Sequence, residues 1–241
     1  MYVTGNPGHP PVAVKMEFSC LWTLGLFLMA SKSSALPSIT DTTFINECVD
    51  AHNSLRRQVS PPAADMKFMG WDKNLAKTAS AWAHKCKIAH NDCLDVANGC
   101  HAGFAFVGEN LWTGGEGGFS PHVAVNSWYN ETAFYNFETL SCSKVCGHYT
   151  QVVWANTYKI GCAVAKCPNL GGSTVVFICN YGPTGNYQNT PPYKTGEFCS
   201  LCSKQEKCVK KLCYDPILNG KPPQWIAFNS FCIGFILLRI F

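Results

Sequence analysis

Charge is scarce in this chain. Only 14% of its 241 residues are Asp, Glu, Lys or Arg, and neither sign dominates, since residues 36–219 hold 15 Lys and Arg against 14 Asp and Glu. With no basic excess there is no electrostatic footprint for nucleic acid, so that partner class is excluded. Internal repeats and low-complexity tracts are absent as well. The sequence contains no HExxH, no GxSxG and no CxxC beside a βαβ pattern, so no independent nucleophile or three-ligand catalytic zinc motif can be read from it.

What is present is apolar surface and sulfur. At 47% hydrophobic, the chain can bury one substantial core, which implies one main domain with appendages. Fifteen cysteines in a chain of this size belong to an oxidising compartment. Cys20 lies in an apolar leader and Cys232 in an apolar tail, which leaves thirteen in the body. An odd number leaves at least one thiol free or intermolecular.

The leader spans residues 1–35. Its apolar run Phe18 to Ala30 follows Lys15 and ends in small residues, the pattern of a cleaved signal peptide, with cleavage expected near Ala35 and a usable start at Met16. The tail, 219–241, is apolar from Trp225, is broken by Arg239 and falls short of the roughly 20 residues a membrane span needs. Small residues, a short polar spacer and an apolar end approximate a glycosylphosphatidylinositol signal, with attachment expected at Asn219 or Gly220. A frayed C-terminus on a soluble protein and a tail-anchored span are the alternatives.

Between these ends the periodicity changes once. Thr40 or Asp41 can cap a first helix, with Phe44, Ile45, Cys48, Val49, His52 and Leu55 on one face, stopping before Pro61. Asp72 can cap a second, with Leu75, Ala76, Ala79, Trp82, Ala83 and Cys86 as its stripe. Ser120 caps a third, which starts at Pro121 and is expected to reach about Tyr135. Beyond residue 146 come β-rich runs over 149–154, 160–167 and 174–181, the last two joined by a turn at 168–172. Helices followed by an antiparallel sheet indicate an α+β fold. Residues 186–196 read as a linker, and Cys199, Cys202, Cys208 and Cys213 form a compact cluster. In a secreted context that cluster is expected to form disulfides rather than a zinc site.

Two stretches are specific enough to suggest a family. Gly147-His148-Tyr149-Thr150-Gln151-Val152-Val153-Trp154-Ala155-Asn156-Thr157 resembles the first signature of the CAP superfamily, which includes cysteine-rich secretory and pathogenesis-related-1 proteins. The run from Val176 to Tyr187, containing Cys179-Asn180-Tyr181, resembles the second. Ala51-His52-Asn53 with Arg56, and Gly108-Glu109-Asn110, extend the likeness over roughly residues 40–190. Pro62 to Met66, Lys144 to His148 and the terminal cysteine cluster resemble the glioma pathogenesis-related branch.

The resemblance implies a three-layer α-β-α sandwich over 36–190, followed by a hinge-like four-cysteine segment over 191–218. It implies a cleft built from His90, Glu109, Glu131 and His148, all four of which are present. Imidazoles and carboxylates together suit metal binding or proton transfer near neutral pH. Zn2+ held by His90 and His148 with water and a glutamate, a purely structural His/Glu network, and a hydrolytic centre are therefore the three readings; no cofactor is required by the second. The resemblance also pairs Cys86 with Cys167, Cys162 with Cys179, Cys199 with Cys208 and Cys202 with Cys213. Cys93 and Cys100 are neighbours able to close a local loop, whereas Cys48, Cys142 and Cys146 are not assignable. A bridge of the cysteine-rich secretory relatives is missing, because Val107 and Gly182 occupy its two positions. So is their six-cysteine ion-channel module, since only Cys232 follows Cys213.

Among the remaining histidines, His52 is expected to pack and hydrogen-bond, His84 to face solvent, and His101 and His122 to lack partners. Asn130-Glu131-Thr132 is a glycosylation sequon beside a cleft acid. The favoured function is a secreted or lipid-anchored recognition or adhesion protein at the outer face of the plasma membrane, binding extracellular or cell-surface proteins, with the gamete surface and reproductive tract as the setting the resemblance implies. A sterol or fatty-acid module and a hydrolase are the alternatives.

Overall fold

The computed structural model describes residues 35–219. The expected leader with Met16, and the apolar tail with Gly220, lie outside the described residues.

Helix α1, Thr42–Arg56, starts where the Asp41 carboxylate accepts from the Thr43 amide at 2.8 Å. Strand β1 is the short Gly70–Trp71, and α2, Lys73–Ala83, is capped by Asp72, which accepts from the Asn74 and Leu75 amides. Then follow β2, Gly108–Gly115, and α3, Pro121–Tyr129, capped by Ser120. A small hairpin of β3, Tyr135–Asn136, and β4, Ser141–Cys142, leads to α4, Gly147–Val152. Strands β5, Lys159–Lys166, and β6, Thr174–Gly182, form the main hairpin. A second hairpin, β7 (Lys207–Val209) and β8 (Leu212–Tyr214), precedes α5, Pro216–Asn219.

The central sheet has the order β1-β5-β6-β2, antiparallel except for the parallel β1–β5 pair. Its middle strands are buried on both faces, and the pleat deals their side chains alternately. Cys162, Val164, Val175, Phe177, Cys179 and Tyr181 pack with Phe44, Cys48 and Trp128 on the α1 and α3 side. Ala163, Ala165, Val176 and Ile178 pack with Ala79, Trp82 and Ala83 of α2 on the other. This is the expected α+β sandwich. Small residues line the α2 side because that helix lies close: a Cβ on Gly161 would collide with the backbone of Leu75 and Ala76.

Several sequence expectations need correction. Residues 149–154 are not a strand. Gly147–Val152 is helix α4, and its Tyr149, Val152 and Val153 reach the core at three- and four-residue steps. A six-residue run in which Tyr149, Val152, Val153 and Trp154 flank the polar Thr150 and Gln151 is too short to fix a period, and here helical spacing wins. Helix α3 stops at Tyr129 rather than near Tyr135, because the chain tightens to 3₁₀ winding over Asn130–Phe134. Strand β2, seen in the sequence only as the Gly-Glu-Asn motif, is the full antiparallel partner of β6.

The 186–196 segment is no linker, since Tyr193 is buried, the Ala155 amide donates to Pro192 O at 2.7 Å and the Ala64 amide to Lys194 O at 2.8 Å. The four-cysteine segment is likewise fastened to the body. Cys213 N donates to Met66 O, Phe68 N to Cys213 O, and Lys67 Nζ to Glu206 Oε1 at 2.6 Å. Asn219 Nδ2 donates to Phe68 O at 2.7 Å.

Six disulfides occur among the described residues: 86–167, 93–100, 142–146, 162–179, 199–208 and 202–213. Cys48 is the free thiol, buried in α1. Val107 and Gly182, where relatives would be bridged, are covered instead by packing, with the Phe104 ring lying where a Gly182 Cβ would stand.

Candidate functional site

The four cleft residues arrive as two histidine–carboxylate pairs from four separate segments. Glu109 lies on β2, fully buried at its side chain, and accepts from His90 Nδ1 at 3.0 Å, from the Asn91 amide at 3.0 Å and from Asn180 Nδ2 at 3.2 Å. Glu131 sits in the 3₁₀ turn after α3. Its Oε1 accepts from His148 Nδ1 at 2.6 Å, and its Oε2 accepts from the His148 and Tyr149 amides at 3.0 and 3.3 Å. The early end of α3 thus puts Glu131 over the start of α4, where those amides have no helical partner. The 142–146 disulfide immediately precedes that start.

Both carboxylates accept at Nδ1, so each neutral ring carries its proton there and leaves Nε2 as a lone-pair donor. Among the described residues neither Nε2 has a hydrogen-bond partner. His90 and His148 line the same cavity of about 280 Å³ together with Ile88, Ala89 and Leu111, and a second of about 190 Å³ with Val145 and Asn186. His90 is 63% exposed, and its hydrogen bond to Glu109 raises its pKa against the opposing effect of burial.

The donor set fits a divalent ion such as Zn2+, which takes imidazole nitrogen in an open site completed by water or a partner's ligand. The glutamates serve the rings and are not free ligands. Among the described residues the one cluster of three potential metal ligands is Cys202, Glu206 and Cys213, whose two sulfurs are joined to each other. No hydroxyl or thiol among the described residues hydrogen-bonds to either cleft imidazole, so the geometry supplies no paired nucleophile and base.

Behind the cleft runs a buried polar chain that sequence reasoning had not linked to it. Asn110 Nδ2 donates to His148 O at 3.1 Å and to Tyr181 Oη at 3.3 Å. Tyr181 Oη meets His52 Nε2 at 2.8 Å, and His52 Nδ1 donates to Cys48 O at 2.8 Å. Burial lowers the His52 pKa to about 4, so that imidazole is neutral. Trp128 stacks on His148 with 6.3 Å between ring centroids and a 13° tilt, while its indole donates to Leu111 O. Asn110 falls within the Gly-Glu-Asn motif and Asn180 and Tyr181 within the Val176–Tyr187 run, but only the pairing of β2 with β6 shows that they meet behind the cleft.

The other histidines differ in role. His84 is exposed and returns a bond to Ser80 O. His101 Nε2 sits 3.4 Å from Asp72 Oδ1 without a hydrogen bond to it, and its ring lies tilted by 34° against Phe104. His122 borders a polar groove with Glu47, Asp50 and Arg57. Asn130 is exposed at the C-cap of α3, and Asn219 closes α5.

A family model described as CAP: Cysteine-rich secretory protein family matches residues 49–181. The chain is 60% identical over 242 residues to GLIPR1-like protein 1 of Homo sapiens, covering 95% of this chain and 100% of that one. It is 50% identical over 184 residues to glioma pathogenesis-related protein 1 of Mus musculus, covering 76% of this chain and 69% of that one. The solved structure "Crystal structure of NaASP2 with Zn2+" aligns at 30% identity with a TM-score of 0.59, over 72% of this chain and 96% of that one. The family description and the disulfides together indicate the secretory pathway.

Proposed function

Since the chain belongs to the cysteine-rich secretory (CAP) protein family, we propose that it is a recognition protein of the cell exterior whose two-histidine cleft takes Zn2+. One observation carries the metal reading: the Nδ1 atoms of His90 and His148 are both engaged by carboxylates, while both Nε2 atoms are left for a ligand in one shared cavity. The Zn2+-bound relative supports it. With two protein nitrogens, coordination stays open, which suits a site that a partner side chain completes.

Recognition rather than turnover is favoured because no nucleophile is paired with either imidazole. A lipid anchor at Asn219 or Gly220 is the proposed tether, and proteins of another cell surface, the gamete included, are the proposed partners. Ile88 and Val145, 62% and 67% exposed at the cleft mouth, give a partner apolar surface to cover around the metal.

Calorimetric titration of the secreted protein with Zn2+ tests the site. One binding event is expected for the parent and none for a His90→Ala/His148→Ala variant of unchanged circular dichroism. Equal binding by both, or none by the parent, removes the metal reading. Adhesion of the soluble protein to gametes or cultured cells, with and without chelator, tests the recognition reading; retention by no cell surface sinks it.

A further inference from the structure

On the far side of Gly147 and Asn186 from the histidines lies a separate groove, between α4 and the 186–190 loop, with a cavity of about 180 Å³. We propose that this groove binds a neutral pyranose unit of a glycan. The proposal rests on the recognition reading in that it names what is recognised, but it does not depend on the metal.

The lining decides the chemistry. None of the eleven residues around the cavity carries charge, which argues against an anionic or cationic ligand. What they offer is aromatic faces and neutral hydrogen-bonding groups. Tyr187 is 56% exposed, unusual for so large a ring, and lies 5.9 Å from the buried Trp154 at a 57° tilt. Tyr135 contributes a half-buried third ring. Beside them the carboxamides of Gln188 and Asn189 are exposed and have no side-chain hydrogen-bond partner among the described residues. An aromatic platform meets the C–H face of a pyranose, and adjacent amides provide donors and acceptors for its hydroxyls.

The loop is held in place before any ligand arrives. Thr150 Oγ1 donates to Asn186 Oδ1 at 2.7 Å, and Asn186 Nδ2 donates to Gly147 O at 2.9 Å, tying the loop to α4. Asn186 and Asn189 both have left-handed backbone, at φ +58° and +55°. Such pre-organisation lowers the entropic cost of binding. Size also separates ligand classes: the cavity is below the roughly 300–1,000 Å³ of pockets that enclose drug-sized molecules, so it suits one sugar ring rather than a polycyclic lipid.

Saturation-transfer NMR on the intact secreted protein, with N-acetyllactosamine and mannotriose as probes, tests this. A signal is expected with at least one of them. Tyr187→Ala should weaken binding about tenfold, and the paired Gln188→Ala/Asn189→Ala change should weaken it comparably, with circular dichroism unchanged. The His90→Ala/His148→Ala variant should retain the signal, so loss of zinc binding and loss of sugar binding are read independently. No signal from either sugar, equal signals from parent and Tyr187→Ala, or Tyr187-dependent binding of cholesterol in place of sugar overturns the proposal.

Discussion

Replacing Arg56 by methionine should be among the most destabilising single changes in the chain, although Arg56 touches no cleft residue. Its guanidinium is fully buried at the end of α1 and donates six hydrogen bonds to five backbone carbonyls: Lys67, Val152, Trp154, Ala155 and Thr157. Burial pulls its pKa down to about 9, still above neutral, so the group is cationic in the fold. The carbonyls belong to the chain leaving α4 for β5 and to the approach to β1; Trp154 O and Ala155 O also accept from the Thr157 and Lys67 amides, so Lys67 O, Val152 O and Thr157 O are the three that depend on Arg56. Methionine fills similar space and donates nothing.

Each stranded buried carbonyl costs about 1–3 kcal/mol before relaxation, and loss of one partner from a buried charged network costs about 3–5 kcal/mol in total. About 4 kcal/mol is therefore expected, which for a domain of this size lowers Tm by about 8–16 °C. Arg56→Lys keeps the charge but has three donors and no planar fork, so it should fall between the two. Thermal melts by circular dichroism, with disulfides intact, provide the measurement. A shift under about 2 °C for Arg56→Met, or a lysine variant as stable as the parent, would refute the reasoning.

Burial lowers the His52 pKa from 6.5 to about 4, so on acidification the unfolded chain takes up that proton first. The associated stabilisation, about 3 kcal/mol, is complete above pH 6.5 and lost as pH falls towards 4; urea midpoints should follow it, and His52→Gln should flatten the slope. His90 has the opposite sign, because its raised pKa adds stability below its unfolded value that is lost as pH rises through the folded one. Cys48, whose pKa burial raises, should resist iodoacetamide in the native protein and be alkylated only after unfolding, as read by peptide mass spectrometry; native labelling would contradict its placement. Gly161→Ala should cost about 3 kcal/mol by forcing α2 away from β5, visible as a lower denaturation midpoint, whereas Gly117→Ala, in open space, should be near neutral.

The helical stripes of α1 and α2, with their Asp41 and Asp72 caps, were legible because capping and three- or four-residue spacing are local properties. The β5–β6 hairpin was legible for the same reason, as two apolar runs separated by a turn. Strand β2 was not, because Gly108–Gly115 carries no alternation of its own and becomes a strand only by pairing with β6. Residues 149–154 misled because Thr, two Val and two aromatic residues have the composition of a strand in a run too short to fix a period, and only the neighbouring core selects the helix. The Asn186–Gly196 segment misled through composition, since its Pro and Asn content is that of a linker while Tyr193 is buried under the β3–β4 hairpin's Phe137 at 4.8 Å.

By itself the sequence determined the chemistry available: an oxidised, cysteine-stapled α+β body with two histidines and two glutamates in recognisable motifs, and at least one cysteine left over. Tertiary structure alone decided how that chemistry is deployed. Which cysteine is left over depends on which sulfurs the fold brings within bonding reach, and Cys48 is sealed in the core. The glutamates could have been metal ligands, and became supports for His90 and His148 because β2 and the 3₁₀ turn place them behind the rings. The 186–190 loop could have been slack, and became one wall of a groove because Asn186 is tied to α4. Residue type is written locally, but which atom of a residue is spent on support and which is left for a ligand is a property of contacts between segments far apart in the chain.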